Sequence, residues 1–121
     1  MLVRNKIPFI NENQSMKNAL NIITNKKLGV LIARNKIKNT TGIITDGNVR
    51  RFGQINNDIQ KLTVKKVMTK NPISVDITML AAKALQIMNE KKITSLCVHK
   101  TNRRKTIGII HIHSILEANI E

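Results

Sequence analysis

The chain has 121 residues, of which 41% are hydrophobic and 2% aromatic, and its formal net charge is +14. A chain of this length fits one compact domain or two half-domains that share a core. Its single cysteine, Cys97, excludes an internal disulfide framework, and no apolar stretch approaches the roughly 20 residues that a membrane span needs. We therefore expect a reduced, cytoplasmic protein without a signal peptide, in which Cys97 is a core residue.

The positive charge is distributed along the whole chain in pairs and short runs, such as Lys26-Lys27, Lys65-Lys66 and Arg103-Arg104-Lys105. Clustered Lys and Arg residues bind phosphates, so a basic nucleic-acid-binding protein is one alternative. Single-strand binders usually stack bases on aromatic side chains, and this chain offers only two Phe residues. The charge is more typical of an AT-rich genome, whose codons favour lysine at surface positions where the residue type is neutral. Alternatively, it creates an electrostatic field that attracts a small anionic ligand.

The first predicted helix has an apolar stripe at Met16, Ala19, Leu20 and Ile23, which is the spacing of one helix face. The second half of the chain repeats this stripe; its members are Ala81, Ala84, Leu85 and Met88. Side chains that suit an N-cap precede the two stripes in register, at Asn13 and Thr78. We expect the methionines of both halves to pack in the core.

Each predicted helix is preceded by a short extended segment and followed by two strands, the second of which begins with Gly-Ile-Ile at Gly42 or Gly108. A short helix should follow each second strand, and a linking helix capped by Thr63 should join the halves. The short extended segments are predicted at 7–10 and 71–75, and the first strand after each helix at 28–33 and 93–100. The short helices are predicted at 48–55 and 114–120, and the linking helix at 62–69. The predicted fold is α/β (α+β), a pseudo-two-fold tandem of two β-α-β-β-α repeats at residues 1–57 and 58–121, with 58–70 as the linking segment.

Four stretches carry a resemblance to a known family: "GIITDGNVRR" (42–51), "VKKVMTKNPISV" (64–75), "LAAKALQIMNEKKITSLCV" (80–98) and "GIIHIHSIL" (108–116). Together they resemble a tandem CBS pair, or Bateman module. They are most similar to the C-terminal CBS pair of the KpsF/KdsD/GutQ group of arabinose-5-phosphate isomerases. The TDG-x-x-RR and H-x-H motifs together are fairly specific to that group.

The resemblance implies a non-catalytic regulatory module that dimerises and senses a small phosphorylated effector, such as an adenine nucleotide, a sugar nucleotide or a sugar phosphate. In that group the CBS pair follows a sugar isomerase (SIS) domain, which forms arabinose 5-phosphate for Kdo and lipopolysaccharide synthesis. Met1 falls where the group has the methionine of its first short strand, so we expect the SIS domain to be absent. A structural remnant that dimerises without a ligand is a further alternative.

The ends of the twin strands, at Thr45 and His111, are the predicted ligand site, because backbone N–H groups at a helix N-terminus favour anions. We expect the two ends to frame a groove between the halves. The resemblance implies that Thr45 faces a phosphate or ribose, and that the residue three positions later accepts ribose hydroxyls. Asn48 and Ser114 stand where the group has aspartate, so we expect weakened ribose binding at both ends. The candidate ligand residues are Thr45, Asp46, Asn48, Arg50, Arg51, His111, His113 and Ser114.

Two pairs among these residues leave alternatives open. Arg50 and Arg51 either clamp a phosphate or form a solvated helix face. His111 and His113 share one side of a strand and either line the groove, serve a structural role or, as the least favoured interpretation, begin a metal site. His99 belongs to another predicted strand. We find no pattern of nucleophile and base, and we expect no catalytic residue and no resident metal or cofactor.

Overall fold

The computed structural model describes residues 2–3, 7–26 and 29–112. The chain divides into two compact units. The first unit is Pro8–Pro72, and the second unit combines Met1–Ile7 with Ile73–Glu121. In chain order the elements are β1 (Leu2–Val3), β2 (Phe9–Asn11), α1 (Met16–Lys26), β3 (Val30–Arg34), β4 (Thr40–Thr45), α2 (Asp46–Ile55), a 3₁₀ turn (Ile59–Lys61), α3 (Val64–Val67), β5 (Thr69–Lys70), β6 (Ser74–Asp76), α4 (Ala81–Lys91), β7 (Ser95–His99) and β8 (Gly108–His111).

Each unit contains a four-stranded sheet, and the two sheets have the same pairing scheme. The strand order is β2-β3-β4-β5 in the first unit and β1-β8-β7-β6 in the second. One pair in each sheet is parallel, β2 with β3 in the first unit and β6 with β7 in the second. All other neighbouring strands are antiparallel. The predicted tandem of α+β repeats is therefore confirmed, although the last predicted helix, 114–120, lies outside the described residues.

One edge strand of each sheet lies next to the other unit in the chain: β5 precedes the strands of the second unit but pairs in the first, and β1 precedes the strands of the first unit but pairs in the second. In the first unit, β5 pairs with β4 so that Lys70 lies opposite Gly42. In the second unit, β1 pairs with β8 so that Val3 lies opposite Gly108, which is the equivalent register. The units consequently divide between Pro72 and Ile73, and not at the predicted boundary between residues 57 and 58.

The linking segment belongs to the first unit because it hydrogen-bonds to the residues that lead into α1. The Met16 backbone N–H donates to the Leu62 carbonyl at 2.8 Å, and the Val64 N–H donates to the Gln14 carbonyl at 2.8 Å. These bonds were not visible in the sequence pattern, which assigned residues 58–70 to the second repeat.

The core of the first unit is aliphatic and is built on the predicted stripe of α1. Met16 and Ala19 are fully buried, and Leu20 and Ile23 pack against the same cluster. Burying a side chain the size of Met16 stabilises the fold by about 2 kcal/mol, so this stripe is a substantial part of what holds the unit together. The other buried members of the cluster are Ile10, Leu31, Ala33, Ile44, Val64, Val67 and Met68.

The core of the second unit uses the corresponding stripe of α4, with one exception. Ala84 and Met88 are fully buried and Leu85 packs against them, whereas Ala81 is exposed. Ala81 is the first residue of α4, so the stripe begins one turn later than predicted. Val75, Leu96 and Val98 complete the buried cluster.

The predicted N-caps of α1 and α4 are wrong, whereas Thr63 is at the predicted N-cap position of α3 but forms no side-chain capping hydrogen bond. Helix α1 begins at Met16, and the Ser15 hydroxyl accepts the Asn18 N–H at 3.3 Å, as an N-cap does. Asn13 instead donates its N–H to the Asn11 side chain. Helix α4 begins after Leu80, which has no side chain able to cap it. Thr78 instead donates to Asp76, so a turn precedes each helix where the sequence predicted its first residues.

No helix within the described residues is long and apolar enough to cross a membrane. The longest helices, α1 and α4, have 11 residues each. That length corresponds to about 16 Å of helix, roughly half of a bilayer's hydrocarbon core.

Candidate functional site

The junction between β4 and α2 is the predicted ligand site in the first unit. Thr45 ends β4 in an extended conformation and is the N-cap of α2. Its hydroxyl accepts the backbone N–H of Asn48 at 3.4 Å, and the Asn48 side-chain oxygen accepts the Thr45 N–H at 2.9 Å. This reciprocal pair is a capping box, which satisfies two backbone donors at the helix start. Helix α2 begins at Asp46, two residues before the predicted start.

The Asn48 side chain is almost completely removed from solvent, with 3% of its surface exposed. Besides the Thr45 N–H, its oxygen accepts the Thr45 hydroxyl at 2.9 Å. Its nitrogen donates to the Val67 carbonyl at 3.2 Å and to the Thr69 hydroxyl at 2.9 Å. Any ligand contact by Asn48, as predicted, would therefore have to break one of these hydrogen bonds.

Asp46 lies beside the glycine that opens β3. The Asp46 N–H donates to the Gly29 carbonyl at 3.2 Å. A Cβ atom added to Gly29, which has φ 69°, would lie 2.8 Å from an Asp46 carboxylate oxygen. Gly29 thus meets two requirements, a left-handed backbone and space for the carboxylate. Asp46 itself is exposed, so its carboxylate is accessible from solvent.

Arg51 extends back towards the N-terminus of α2, whereas both arginines of the RR pair remain exposed. A Cβ atom added to Gly47 would lie 3.2 Å from an Arg51 guanidinium nitrogen and 3.5 Å from the Thr45 hydroxyl oxygen. The guanidinium is therefore close to the positive end of the helix dipole. Two positive features at one place form a favourable position for a phosphate.

His111 ends β8 at the equivalent position of the second unit. It lies opposite Ser95 of β7, and the following residue, Ile112, donates its N–H to the Thr94 carbonyl at 2.8 Å. The His111 side chain is partly buried. The other two candidate residues of this unit, His113 and Ser114, lie outside the described residues, so their predicted roles remain predictions.

His99 lies at the other end of β7 from the residue that pairs with His111. The two ends of β7 are four residue steps apart, which is about 13 Å. His99 therefore does not join His111 in a common metal site. Across the part of the chain that the structure describes, no group of three or more His, Cys, Asp or Glu residues could hold a metal ion.

A polar cluster around His99 was not predicted from the sequence. This side chain is 6% exposed, and its Nδ1 atom lies 2.6 Å from the Ser74 hydroxyl. Asp76, its partner in register on β6, has its pKa lowered, first by the backbone N–H of Thr78, then by the Thr78 hydroxyl and finally by His99. The parallel pairing of β6 with β7 is the signal that could have revealed the cluster, since it aligns residues 74 and 76 with this strand end.

Cys97 is a core residue, as predicted. It is 1% exposed, and burial raises the pKa of its thiol to about 11, against the smaller lowering effect of a Thr106 hydrogen bond. Four of the five methionines also pack as predicted, and Met1 lies outside the described residues. Met16 and Met88 are fully buried, Met68 is 8% exposed, and Met79 is partly buried against the core of the second unit. None of the buried sulfur atoms is available as a ligand contact.

Comparison with known families and structures gives the fold a name. Residues 64–121 match the family model of the CBS domain. The structure of the CBS-domain protein ATU1752 from Agrobacterium tumefaciens has a TM-score of 0.85 to this chain at 18% identity, and covers 93% of this chain and 84% of its own.

Residues 64–121 form a CBS domain, and the chain as a whole has the fold of CBS-domain structures. A second CBS-pair structure, CBSX2 from Arabidopsis thaliana in complex with AMP, has a TM-score of 0.82 at 20% identity and covers 99% of this chain and 92% of its own. These likenesses establish that both units have the CBS fold. They show the fold alone and say nothing about a ligand of this chain.

A curated relative is closer in sequence. The arabinose 5-phosphate isomerase KdsD of Salmonella typhi is 33% identical over 115 residues, which is 95% of this chain but 34% of the relative. The chain thus spans about a third of the length of the curated relatives it matches. The similarity predicted to the CBS pair of these isomerases is therefore confirmed.

Proposed function

We propose that this chain is a non-catalytic regulatory module that binds a small phosphorylated ligand at its strand ends. The observation that carries the proposal is the 33% identity, over nearly the whole chain, to one third of an arabinose 5-phosphate isomerase. Its protein partner would be a SIS-type sugar isomerase, in the same protein or as a separate chain, in the pathway to Kdo and lipopolysaccharide. It would also associate with a second copy of itself.

The site in the first unit suits an anion more than a neutral ligand. Thr45 and Gly47 lie at the start of α2, where the positive end of the helix dipole attracts negative charge. Arg51 adds a guanidinium within reach of the same helix turn. Phosphate is the ligand chemistry that this combination favours, with Arg50 one residue away and exposed.

The nature of the ligand beyond its phosphate group comes only from the relatives. CBSX2 was crystallised with AMP. The arabinose 5-phosphate isomerases act on a pentose phosphate, as their name states. For this chain we therefore propose an adenine nucleotide, a sugar nucleotide or a sugar phosphate. The groove predicted between the two strand ends, with His111, His113 and Ser114 on one side, stays a prediction.

A thermal-shift panel of AMP, ATP, CMP-Kdo and arabinose 5-phosphate tests the proposal. A ligand at 100 times its Kd stabilises a protein by about 2.7 kcal/mol, which raises Tm by several degrees in a chain of this size. At least one member of the panel should do so. If no compound shifts Tm even at millimolar concentration, the chain is better described as a structural remnant.

The arginines of α2 provide the specific variant. Replacing Arg50 and Arg51 by Gln should weaken binding of the active compound by at least tenfold, since hydrogen bonds to charged groups contribute about 1.5–3 kcal/mol each. The matched control replaces Arg103 and Arg104 by Gln. These two residues lie in an exposed turn of the second unit, so the control removes the same charge elsewhere. Equal weakening by both variants would indicate a diffuse charge effect and would contradict the proposed site.

The net charge of +14 keeps nucleic acid as the second candidate function. A nucleic-acid binder should shift oligonucleotides at low salt, and its affinity should fall steeply as salt is raised. Oligonucleotide binding of this kind, with no response to the small phosphorylated compounds, would favour the second candidate over the first.

A further inference from the structure

One side chain in the first unit holds three segments together. The amide of Asn48 accepts two hydrogen bonds from Thr45 at the end of β4, donates one to the Val67 carbonyl at the end of α3, and donates one to the Thr69 hydroxyl in β5. An asparagine amide has two donor hydrogens and an oxygen with two lone pairs. Its entire hydrogen-bonding capacity is used inside the unit.

These bonds go beyond what a helix cap requires. The capping box needs only the reciprocal contacts between Thr45 and Asn48. The two additional donations reach residues that lie 19 and 21 positions further along the chain. They attach the end of the linking segment to the start of α2, which is the helix end at which the ligand is proposed to bind.

We propose that Asn48 is a positioning residue that fixes the 67–69 segment on the N-terminus of α2 and makes no contact with ligand. The inference deepens the proposed function and rests on it for the ligand. A phosphorylated ligand at this helix end is recognised through its phosphate, and a pair of neighbouring sugar hydroxyls gains nothing from the side chain at position 48. Position 48 therefore does not contribute to any discrimination between a ribose and a deoxy sugar at this site.

The amide is the group that this position requires. The Val67 carbonyl oxygen can only accept a hydrogen bond, and it lies 3.2 Å from the Asn48 nitrogen. A carboxylate there would place a negatively charged oxygen against a carbonyl oxygen in a site that is closed to water. The charged form would be disfavoured, and the acid would regain a donor only when protonated.

The segment is held on its other side by packing. Met68 lies against Gly42, where a Cβ atom would be 2.6 Å from the Met68 Cγ atom, and the Thr41 hydroxyl lies 4.0 Å from the Met68 sulfur. Asn48 therefore holds the 67–69 segment by hydrogen bonds on one side, while Met68 holds it by packing on the other. Loss of these hydrogen bonds should leave the segment packed but less well ordered.

The first test compares Asn48→Asp with Asn21→Asp in the full chain. Asn21 is an exposed residue in the middle of α1, so its substitution makes the same chemical change without the buried contacts. At pH 7.5 the Asn48→Asp variant should lose about 5 °C or more in Tm relative to Asn21→Asp. The deficit should shrink as the pH is lowered towards 4.5, because the protonated carboxyl can donate to the Val67 carbonyl.

This pH profile separates positioning from a general loss of stability. A folded-state carboxyl pKa above its unfolded value lowers stability at high pH and restores it as pH falls through the folded pKa. Thr69→Val, which removes one partner of Asn48, should lower Tm without any such pH dependence. If Asn48→Asp and Asn21→Asp have the same Tm at every pH, the proposal is overturned.

The second test measures ligand discrimination. AMP and 2′,3′-dideoxy-AMP are titrated into isotope-labelled wild-type protein and Asn48→Ala, and binding is followed at the backbone amide of Thr45. The proposal predicts that the ratio of the two dissociation constants is the same, within about twofold, in the wild type and in Asn48→Ala. A larger preference for AMP that disappears in Asn48→Ala would overturn it, whereas one that persists in the variant arises from another residue.

The two tests fail independently. If neither nucleotide affects Thr45, the proposed function is contradicted for this probe, and the pH profile of Asn48→Asp still decides the role of Asn48. If both nucleotides bind but the pH profile is flat, the proposed function stands and the positioning role is rejected.

Discussion

Gly42 in β4 is the position at which the absence of a side chain matters most for the first unit. A Cβ atom there would lie 2.6 Å from the Met68 Cγ atom and 2.9 Å from the Met68 Cβ atom. Met68 is 8% exposed and belongs to the core, so it has little room to move. Gly42→Ala should lower the free energy of unfolding by about 2 kcal/mol, measured by urea denaturation.

Gly53 is the matched control for that substitution. It lies in α2, is exposed, and has no atom within 4 Å of an added Cβ. Gly53→Ala should raise the free energy of unfolding by up to about 1 kcal/mol, because alanine favours the helix and restricts the unfolded chain. Destabilisation by both substitutions would show that the contact with Met68 is not the cause.

The Cys97 thiol should be unreactive in the folded protein. Burial raises its pKa to about 11, so at pH 8 only about a thousandth of it is thiolate. Ellman's reagent should modify Cys97 at a rate set by unfolding, and quickly once urea is added. Fast modification without denaturant would mean that the strand is open to solvent.

Asp76 gives the molecule a stability term that depends on pH. Its pKa is lowered by the Thr78 N–H, the Thr78 hydroxyl and His99, so the carboxylate form is favoured in the folded state. A lowered carboxyl pKa contributes stability above the unfolded value, and this is lost as pH falls through the folded value. Wild type should therefore have a higher Tm than Asp76→Asn at pH 7, and the difference should shrink progressively as the pH is lowered below the ordinary carboxyl pKa of about 4. A constant difference would contradict the assigned cause.

At the scale of residues, burial was predictable and hydrogen-bond partners were not. The core positions of Met16, Met88 and Cys97 follow from hydrophobicity and helical spacing alone. The role of Asn48 depends on Val67 and Thr69, which are close to it only after the linking segment has folded onto α2. No local pattern contains that information.

At the scale of elements, the start of α1 was displaced by a tertiary contact. Ser15 forms a β-bridge with Thr63, and the Met16 N–H donates to the Leu62 carbonyl. These bonds give the first backbone donors partners outside the helix, so the helix begins at Met16 and not near Asn13. The strands were easier to predict, because their apolar runs are local signals, although β4 begins at Thr40 and not at the predicted Gly42.

The cap of α1 can be tested by one pair of substitutions. Ser15→Ala removes the hydroxyl that accepts the Asn18 N–H and should lower the free energy of unfolding by about 1 kcal/mol. Asn13→Ala should have a much smaller effect, because the structure gives the Asn13 side chain no capping role. Chemical denaturation of both variants measures the two losses of unfolding free energy. A larger loss in Asn13→Ala than in Ser15→Ala would indicate that Asn13 caps the helix, as the sequence predicted.

At the scale of the whole molecule, the duplication was predictable but the exchange of edge strands was not. Repeated motifs indicate that two similar units exist. They do not indicate that β1 completes the sheet of the second unit while β5 completes that of the first. Strands of two residues carry almost no sequence signal, and their assignment depends on pairing across the sheet.

The proposed function requires this chain to bind small phosphorylated ligands at its strand ends. Chemical-shift mapping of the full, isotope-labelled chain with AMP and with arabinose 5-phosphate tests it most directly. We expect saturable shifts at the Thr45, Asp46 and Gly47 amides for at least one of the two compounds. The proposed function would be contradicted if neither compound shifted these amides at about 10 mM, or if the shifts occurred only around Arg103 and Arg104 and disappeared on adding salt.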